Sequence, residues 1–277
     1  MSVTIPSNDG ELNEYDLTKS ATTDPRIHYV NGIQTDGRGH ARTAALLSLL
    51  TERPIWGVYN KTSGMLMDLG QCALDYIQNA GARASKSKLT PDRNISYQDI
   101  PALVDKVVKG SFVWNKATVA LFKSLMLNIR SRQMIVAHSQ GNLLTSNALF
   151  VVERVLGSQA LSNIRVYSLA SPSPGWPLGI RVTNGGGGRQ ENAYMNDLVA
   201  LLRPHNLAAK VGVKRFQNAG DFRRLEGAGP VGLKPHEIEA NIALNFLQSI
   251  RNDLGMPGEI PDDLLADSIA TIDAMIP

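Results

Sequence analysis

Apolar positions along the chain fall into two patterns. Short, mostly apolar stretches at residues 26–30, 55–59, 134–137, 164–169 and 180–183 are bounded by turn residues and read as buried strands. Elsewhere apolar residues recur every three or four positions, which lines them up on one face of a helix. Such helices are expected at 40–51, 142–152 and 238–250. Three more are expected within 62–130, carried by Leu66, Leu69, Ala73, Tyr76 and Ile77, by Ile100, Leu103, Val104 and Val107, and by Val119, Phe122, Leu125 and Met126. The alternation of strands and helices reads as an α/β protein. Residues 1–25 are polar, rich in Asn, Asp, Ser and Thr, and are expected to form an extended or loosely packed arm. The tail, 251–277, is expected to carry a short acidic amphipathic helix near 262–269 that packs on the surface.

The chemistry concentrates at residues 132–147, Arg-Gln-Met-Ile-Val-Ala-His-Ser-Gln-Gly-Asn-Leu-Leu-Thr-Ser-Asn. Ser139 falls in the turn between a strand and a helix. So tight a turn requires small residues on both sides of the serine, and Ala137 and Gly141 supply them. It would raise the hydroxyl above the sheet edge and aim the free N–H groups of the following helix at it. His138 is read as structural, because neighbouring side chains at a strand end diverge. Serine also begins many helices as an N-cap, so that reading stands beside the nucleophilic one.

The Ala-x-Ser-x-Gly segment resembles the nucleophile turn of the α/β-hydrolase superfamily, with alanine in place of the usual first glycine. The resemblance is to lipase- and carboxylesterase-like members and covers residues 26–250. It implies a mostly parallel central sheet flanked by helices, with a helical insertion at 61–131 before the nucleophile strand. Two roles are open to that insertion, a lid over Ser139 or simple flanking of the sheet. The resemblance also implies an oxyanion hole, made by the Gln140 amide and by an amide from the loop after an early central strand. Here that loop is Asn31-Gly32-Ile33, and Gly32 or Ile33 is the expected donor, although Asn-Gly is equally a plain turn sequence. A dinucleotide loop is not supported, since Gly37-Arg38-Gly39-His40-Ala41-Arg42 carries arginine where the third glycine should stand.

A serine needs a base to take its proton and an acid to hold that base. Asp197, in Asn196-Asp197-Leu198-Val199, looks like the segment that carries the acid in many lipase-like relatives, with Glu191 and Asp221 as alternatives. His236 lies in a loop before the helix at 238–250, where the family places its base. The order Ser139, Asp197, His236 is the family's order. The proline-rich loop 170–177 follows a strand end and is expected to wall the site, with Trp176 offering an apolar surface to substrate. The expected activity is that of a serine hydrolase cleaving carboxylic esters, lipid or acyl esters among them, through an acyl-enzyme. It calls for no metal and no organic cofactor. Thioester or amide hydrolysis on the same triad is an alternative. So is an inactive hydrolase fold used for binding, suggested by the alanine in the nucleophile turn and by Asn-Gly where lipases commonly carry His-Gly.

Composition narrows the partners. The 28 basic and 25 acidic residues give a net charge of +3 with no basic block of the kind that tracks phosphates, so nucleic acid is not expected. The densest basic stretch, Lys210, Lys214, Arg215, Arg223 and Arg224, reads as a solvated face that would favour transient contact with an anionic lipid surface. The four glycines at 185–188 lack the Gly-Lys-Ser/Thr ending of a phosphate loop. The single cysteine, Cys72, allows no internal disulfide and reads as packing. Neither a signal peptide nor an apolar run of membrane-spanning length is visible. The expected location is cytoplasmic, or exported without a signal peptide.

Overall fold

A computed structural model describes residues 3–33, 35–61, 95–109, 115–169, 171, 173, 175–183, 247–256, 258, 261 and 263–276. Its strands are β1 (Leu12–Tyr15), β2 (Arg26–Val30), β3 (Ile55–Val58), β4 (Gln133–His138), β5 (Ile164–Leu169) and β6 (Arg181–Thr183). They form one sheet in the order β1-β3-β2-β4-β5-β6, with β1 antiparallel to β3 and the other pairs parallel. The described helices are α1 (Gly37–Thr51), α2 (Ile100–Lys109), α3 (Lys116–Leu127), α4 (Gly141–Leu156), α5 (Leu247–Asp253) and α6 (Leu264–Met275).

Alternation along each strand divides the core. Ile27, Tyr29, Met134, Val136, Tyr167 and Leu169 face α1, α5 and α6, whereas Val30, Ile135, Ala137 and Val166 face α2, α3 and α4. Covering on both faces is why the central parallel strands are mostly apolar rather than strictly alternating. Right-handed crossovers explain which helix lies where. From β2 the chain steps one way through α1 to β3. It then returns past β2 to β4 and goes on through α4 to β5 in the opposite direction, which puts α4 on the opposite face. The strand order therefore reverses between β2 and β4, and their carboxyl ends open the crevice where such sheets place ligands.

Several expectations are corrected. The polar arm expected over residues 1–25 contains β1, whose Tyr15 is buried and whose register pairs Leu12 with Val58 and Tyr15 with Ile55. A four-residue edge strand with one buried side chain has too little apolar pattern to stand out. Helix α1 starts at Gly37 rather than His40, because the Asp36 carboxylate accepts from the Gly39 amide at 2.7 Å and caps it there. In the tail, α6 runs beyond the expected 262–269 and does not merely ride on the surface: Ile272 is fully buried with α1. The two described helices of the insertion flank the sheet, since Leu121, Phe122, Leu125 and Met126 of α3, with Ile100 and Val104 of α2, lie in the core. Residues 62–94, Cys72 among them, lie outside the described residues. No helix among the described residues is long and apolar enough to cross a membrane.

Two histidines lie wholly inside this core. His28 on β2 has Nε2 2.8 Å from Ser124 Oγ of α3, and His40 sits on α1. Burial, with Arg26 nearby, pushes the His28 pKa from 6.5 down to about 3, and burial alone drives His40 to about 3. Native imidazoles thus stay neutral where unfolded ones would charge, so their contribution is complete above pH 6.5 and lost as the pH falls toward 3. At pH 5 each histidine should cost about 2 kcal/mol of stability relative to pH 7. Urea unfolding measured across that interval checks this, and a flat profile would contradict the burial of either ring.

Candidate active site

Strand β4 runs into a turn at Ser139, whose φ is +54°, in the left-handed region that side chains with a Cβ rarely adopt. That backbone costs about 1–2 kcal/mol relative to an ordinary conformation, so neighbouring bonds must hold it. The Ser139 amide donates to the Leu169 carbonyl at the end of β5 at 3.0 Å. Asn142 Nδ2 donates to the Ser139 carbonyl at 3.0 Å and to the Leu169 carbonyl at 2.9 Å, and the Asn142 amide donates to Ser139 at 3.0 Å. The serine is fully buried, and among the described residues nothing pairs with its hydroxyl. An unpaired buried hydroxyl costs about 1–3 kcal/mol. The N-cap of α4 is Gln140, and a strained backbone with a hydroxyl unpaired among the described residues is not what a purely structural N-cap serine would carry.

Two glycines bring the turn against β2. A Cβ on Gly141 would stand 2.4 Å from the Val30 carbonyl oxygen and 2.9 Å from that of Asn31, so α4 approaches the end of β2 backbone to backbone. A Cβ on Gly32 would meet Ser139 Cβ at 2.3 Å and Oγ at 2.9 Å. Gly32 and Ser139 thus meet at the reversal of strand order, one after β2 and the other after β4. Ala137, in the position of the usual first glycine, is fully buried and its methyl fits in the core.

Buried amides surround this junction. Asn31 Nδ2 donates to the Gly32 carbonyl at 3.0 Å and to the Asn60 carbonyl at 2.8 Å, while its Oδ1 accepts from the Asn60 amide at 2.8 Å. His40 Nδ1 lies 2.9 Å from the same Oδ1, so the ring bonds there as the Nδ1–H tautomer. Asn60 Nδ2 in turn donates to Gln140 Oε1 at 3.0 Å. The His40 ring stacks on Tyr29 with centroids 5.2 Å apart and lies edge-on to Tyr15 and Tyr59. It fits because residue 57 is glycine: a Cβ there would stand 2.4 Å from His40 Nε2.

Of the residues expected from sequence, Ser139, Gly32, Ile33 and Gln140 come together at the sheet's carboxyl edge. Asp197, His236 and the alternatives Glu191 and Asp221 lie outside the described residues, as does the basic stretch 210–224. Ser146 Oγ donates to the Gly175 carbonyl at 2.7 Å and Leu178 bonds to Glu153, so the loop descends along α4 and Trp176 packs on the α2–α4 side of the core. His138 is buried at the end of β4. Sequence reasoning passed over Asn60 and Asn142. Asn60 is a carboxamide just beyond a strand end, as Asn31 is, and that repetition is the signal that could have found it; Asn142 is the second residue of α4.

Among the described residues no group of three His, Cys, Asp or Glu side chains is placed to hold a metal ion. Comparison with protein-family models, curated proteins and solved structures finds no match for the chain. The protein is of the α/β class, with a mixed, mostly parallel six-stranded sheet, flanking helices and a strained, buried serine at the reversal of its strand order.

Proposed function

We propose that the chain is a serine hydrolase of the α/β-hydrolase superfamily that cleaves carboxylic esters. The observation that carries this reading is Ser139 itself, a non-glycine residue at positive φ in a strand-turn-helix, its hydroxyl unpaired among the described residues and its Cβ against Gly32 at the switch point. The antiparallel edge strand, the parallel remainder and the close approach of α4 to β2 support the same fold assignment.

In the proposed mechanism Ser139 Oγ attacks the ester carbonyl carbon while His236 takes the hydroxyl proton. Asp197 orients His236 and stabilises its charged form. The oxyanion is held by the Gln140 amide and an amide at Gly32 or Ile33, each contributing about 3 kcal/mol to lowering the barrier. Collapse of the tetrahedral intermediate expels the alcohol, which takes the proton from His236. Water, deprotonated by the same histidine, then releases the acid and frees the serine. The reaction needs no metal or organic cofactor. Lipid or acyl esters are the proposed substrates, met at a membrane surface from the cytoplasm or after export without a signal peptide.

Hydrolysis of p-nitrophenyl esters by the wild type, His236→Ala and Asp197→Asn tests the assignment. Turnover is expected in the wild type, with loss of about 10⁴-fold in either variant. Unchanged turnover in Asp197→Asn with loss in Glu191→Gln or Asp221→Asn would move the acid. Unchanged turnover in His236→Ala would remove the proposed base.

A further inference from the structure

We infer that Asn31 and Asn60 are positioning residues that lock the two halves of the oxyanion hole to each other; this deepens the hydrolase reading above and rests on it. The two proposed donors come from segments about a hundred residues apart in sequence, one loop following β2 and the other the residue after Ser139. A hole built from separate loops works only when both amides are held within a fraction of an ångström of the developing charge.

Asn31 holds the first half. Its side chain is fully buried, and all four of its hydrogen-bonding positions are used: two donations to the Gly32 and Asn60 carbonyls and two acceptances from the Asn60 amide and His40. A saturated carboxamide has one orientation. Because a trans peptide is planar, pinning the Gly32 carbonyl toward Asn31 turns the Ile33 N–H to the opposite side. That peptide cannot flip without breaking a buried hydrogen bond. His40 contributes by keeping its Nδ1–H on Asn31, enclosed by the three tyrosines.

Asn60 joins the second half. Its backbone pairs with Asn31 in both directions, while its side chain crosses to Gln140, the residue whose amide is the other proposed donor. A third contact, from Asn115 Nδ2 to Asn60 Oδ1 at 3.3 Å, ties the bridge to the start of α3. Asn115 is also the side-chain cap of that helix. The strand ends of β2 and β3 and the turn after β4 thereby share one set of amides. A core needing only stability could place apolar residues at these positions, as Asn31 and Asn60 are almost wholly buried.

The test uses the full chain with a soluble p-nitrophenyl ester, active sites being counted with a fluorophosphonate so that kcat is expressed per competent site. Asn60→Ala removes the arm to Gln140 and leaves the backbone pairing with Asn31 intact, so this variant should fold even if Asn31→Ala does not. Expected is a fall in kcat of about 10- to 100-fold with KM within about twofold, the signature of an interaction made in the transition state. Asn31→Ala should show the same split. Equal kcat per site in Asn60→Ala, or a raised KM at unchanged kcat, overturns this inference alone. A wild type that neither reacts with the fluorophosphonate nor turns over ester defeats the hydrolase reading and this inference with it.

Discussion

Ser139→Ala is expected to lower ester hydrolysis by at least about 10⁴-fold, because the remaining oxyanion donors and binding contacts cannot supply a nucleophile. The fold should survive. The turn is held by backbone groups and by Asn142, none of which needs the Ser139 hydroxyl. Among the described residues nothing pairs with that hydroxyl, so its removal breaks no hydrogen bond within them. Ser139→Gly sharpens the argument. It is equally inactive, but it removes the Cβ that φ of +54° disfavours, and should therefore be about 1 kcal/mol more stable than Ser139→Ala in urea unfolding. An alanine variant more stable than the glycine variant would show that residue 139 is not strained in the native protein.

Gly141→Ala should be damaging at a position where the general rule points the other way. Replacing glycine by alanine inside a helix ordinarily stabilises by about 1 kcal/mol. Here the added Cβ would sit 2.4 Å from a carbonyl oxygen of β2, an atom fixed by the central sheet. Helix α4 must then move outward and carry Ser139 with it. The expected cost is about 1–3 kcal/mol of stability from overpacking, together with a loss of about 100-fold or more in turnover from displacement of the nucleophile. Urea unfolding and per-site turnover measure the two effects. A stabilised and fully active Gly141→Ala would mean that α4 does not pack on β2 as described.

How far the sequence could reveal these features depended on whether their causes were local. Strand β5 could be placed at residues 164–169 because Ile164, Val166, Tyr167 and Leu169 make the stretch mostly apolar between turn-forming flanks. The turn at Ser139 was readable for a similar reason, as the demand for small neighbours acts within five residues. Strand β1 was not: its sequence, Leu-Asn-Glu-Tyr, is half exposed, and what makes it a strand is its antiparallel partner some forty residues later. The path of the loop that carries Trp176 was hidden for the same kind of reason. A proline-rich loop after a strand is identifiable from sequence, but its path down α4 is set by Ser146 and Glu153, and local pattern says nothing of them. The amide network joins Asn31 to Asn60 and Asn60 to Gln140, 29 and 80 residues apart. Only the folded sheet brings those strand ends together. Asp197 and His236 rest on chain order and family resemblance.

The central claim is that the buried hydroxyl of Ser139 is an activated nucleophile. Intact-mass measurement of the full chain after treatment with a fluorophosphonate tests it most directly, with Ser139→Ala treated alongside. The account predicts one adduct on the wild type and none on the variant. Equal labelling of both proteins, or of neither, would contradict it.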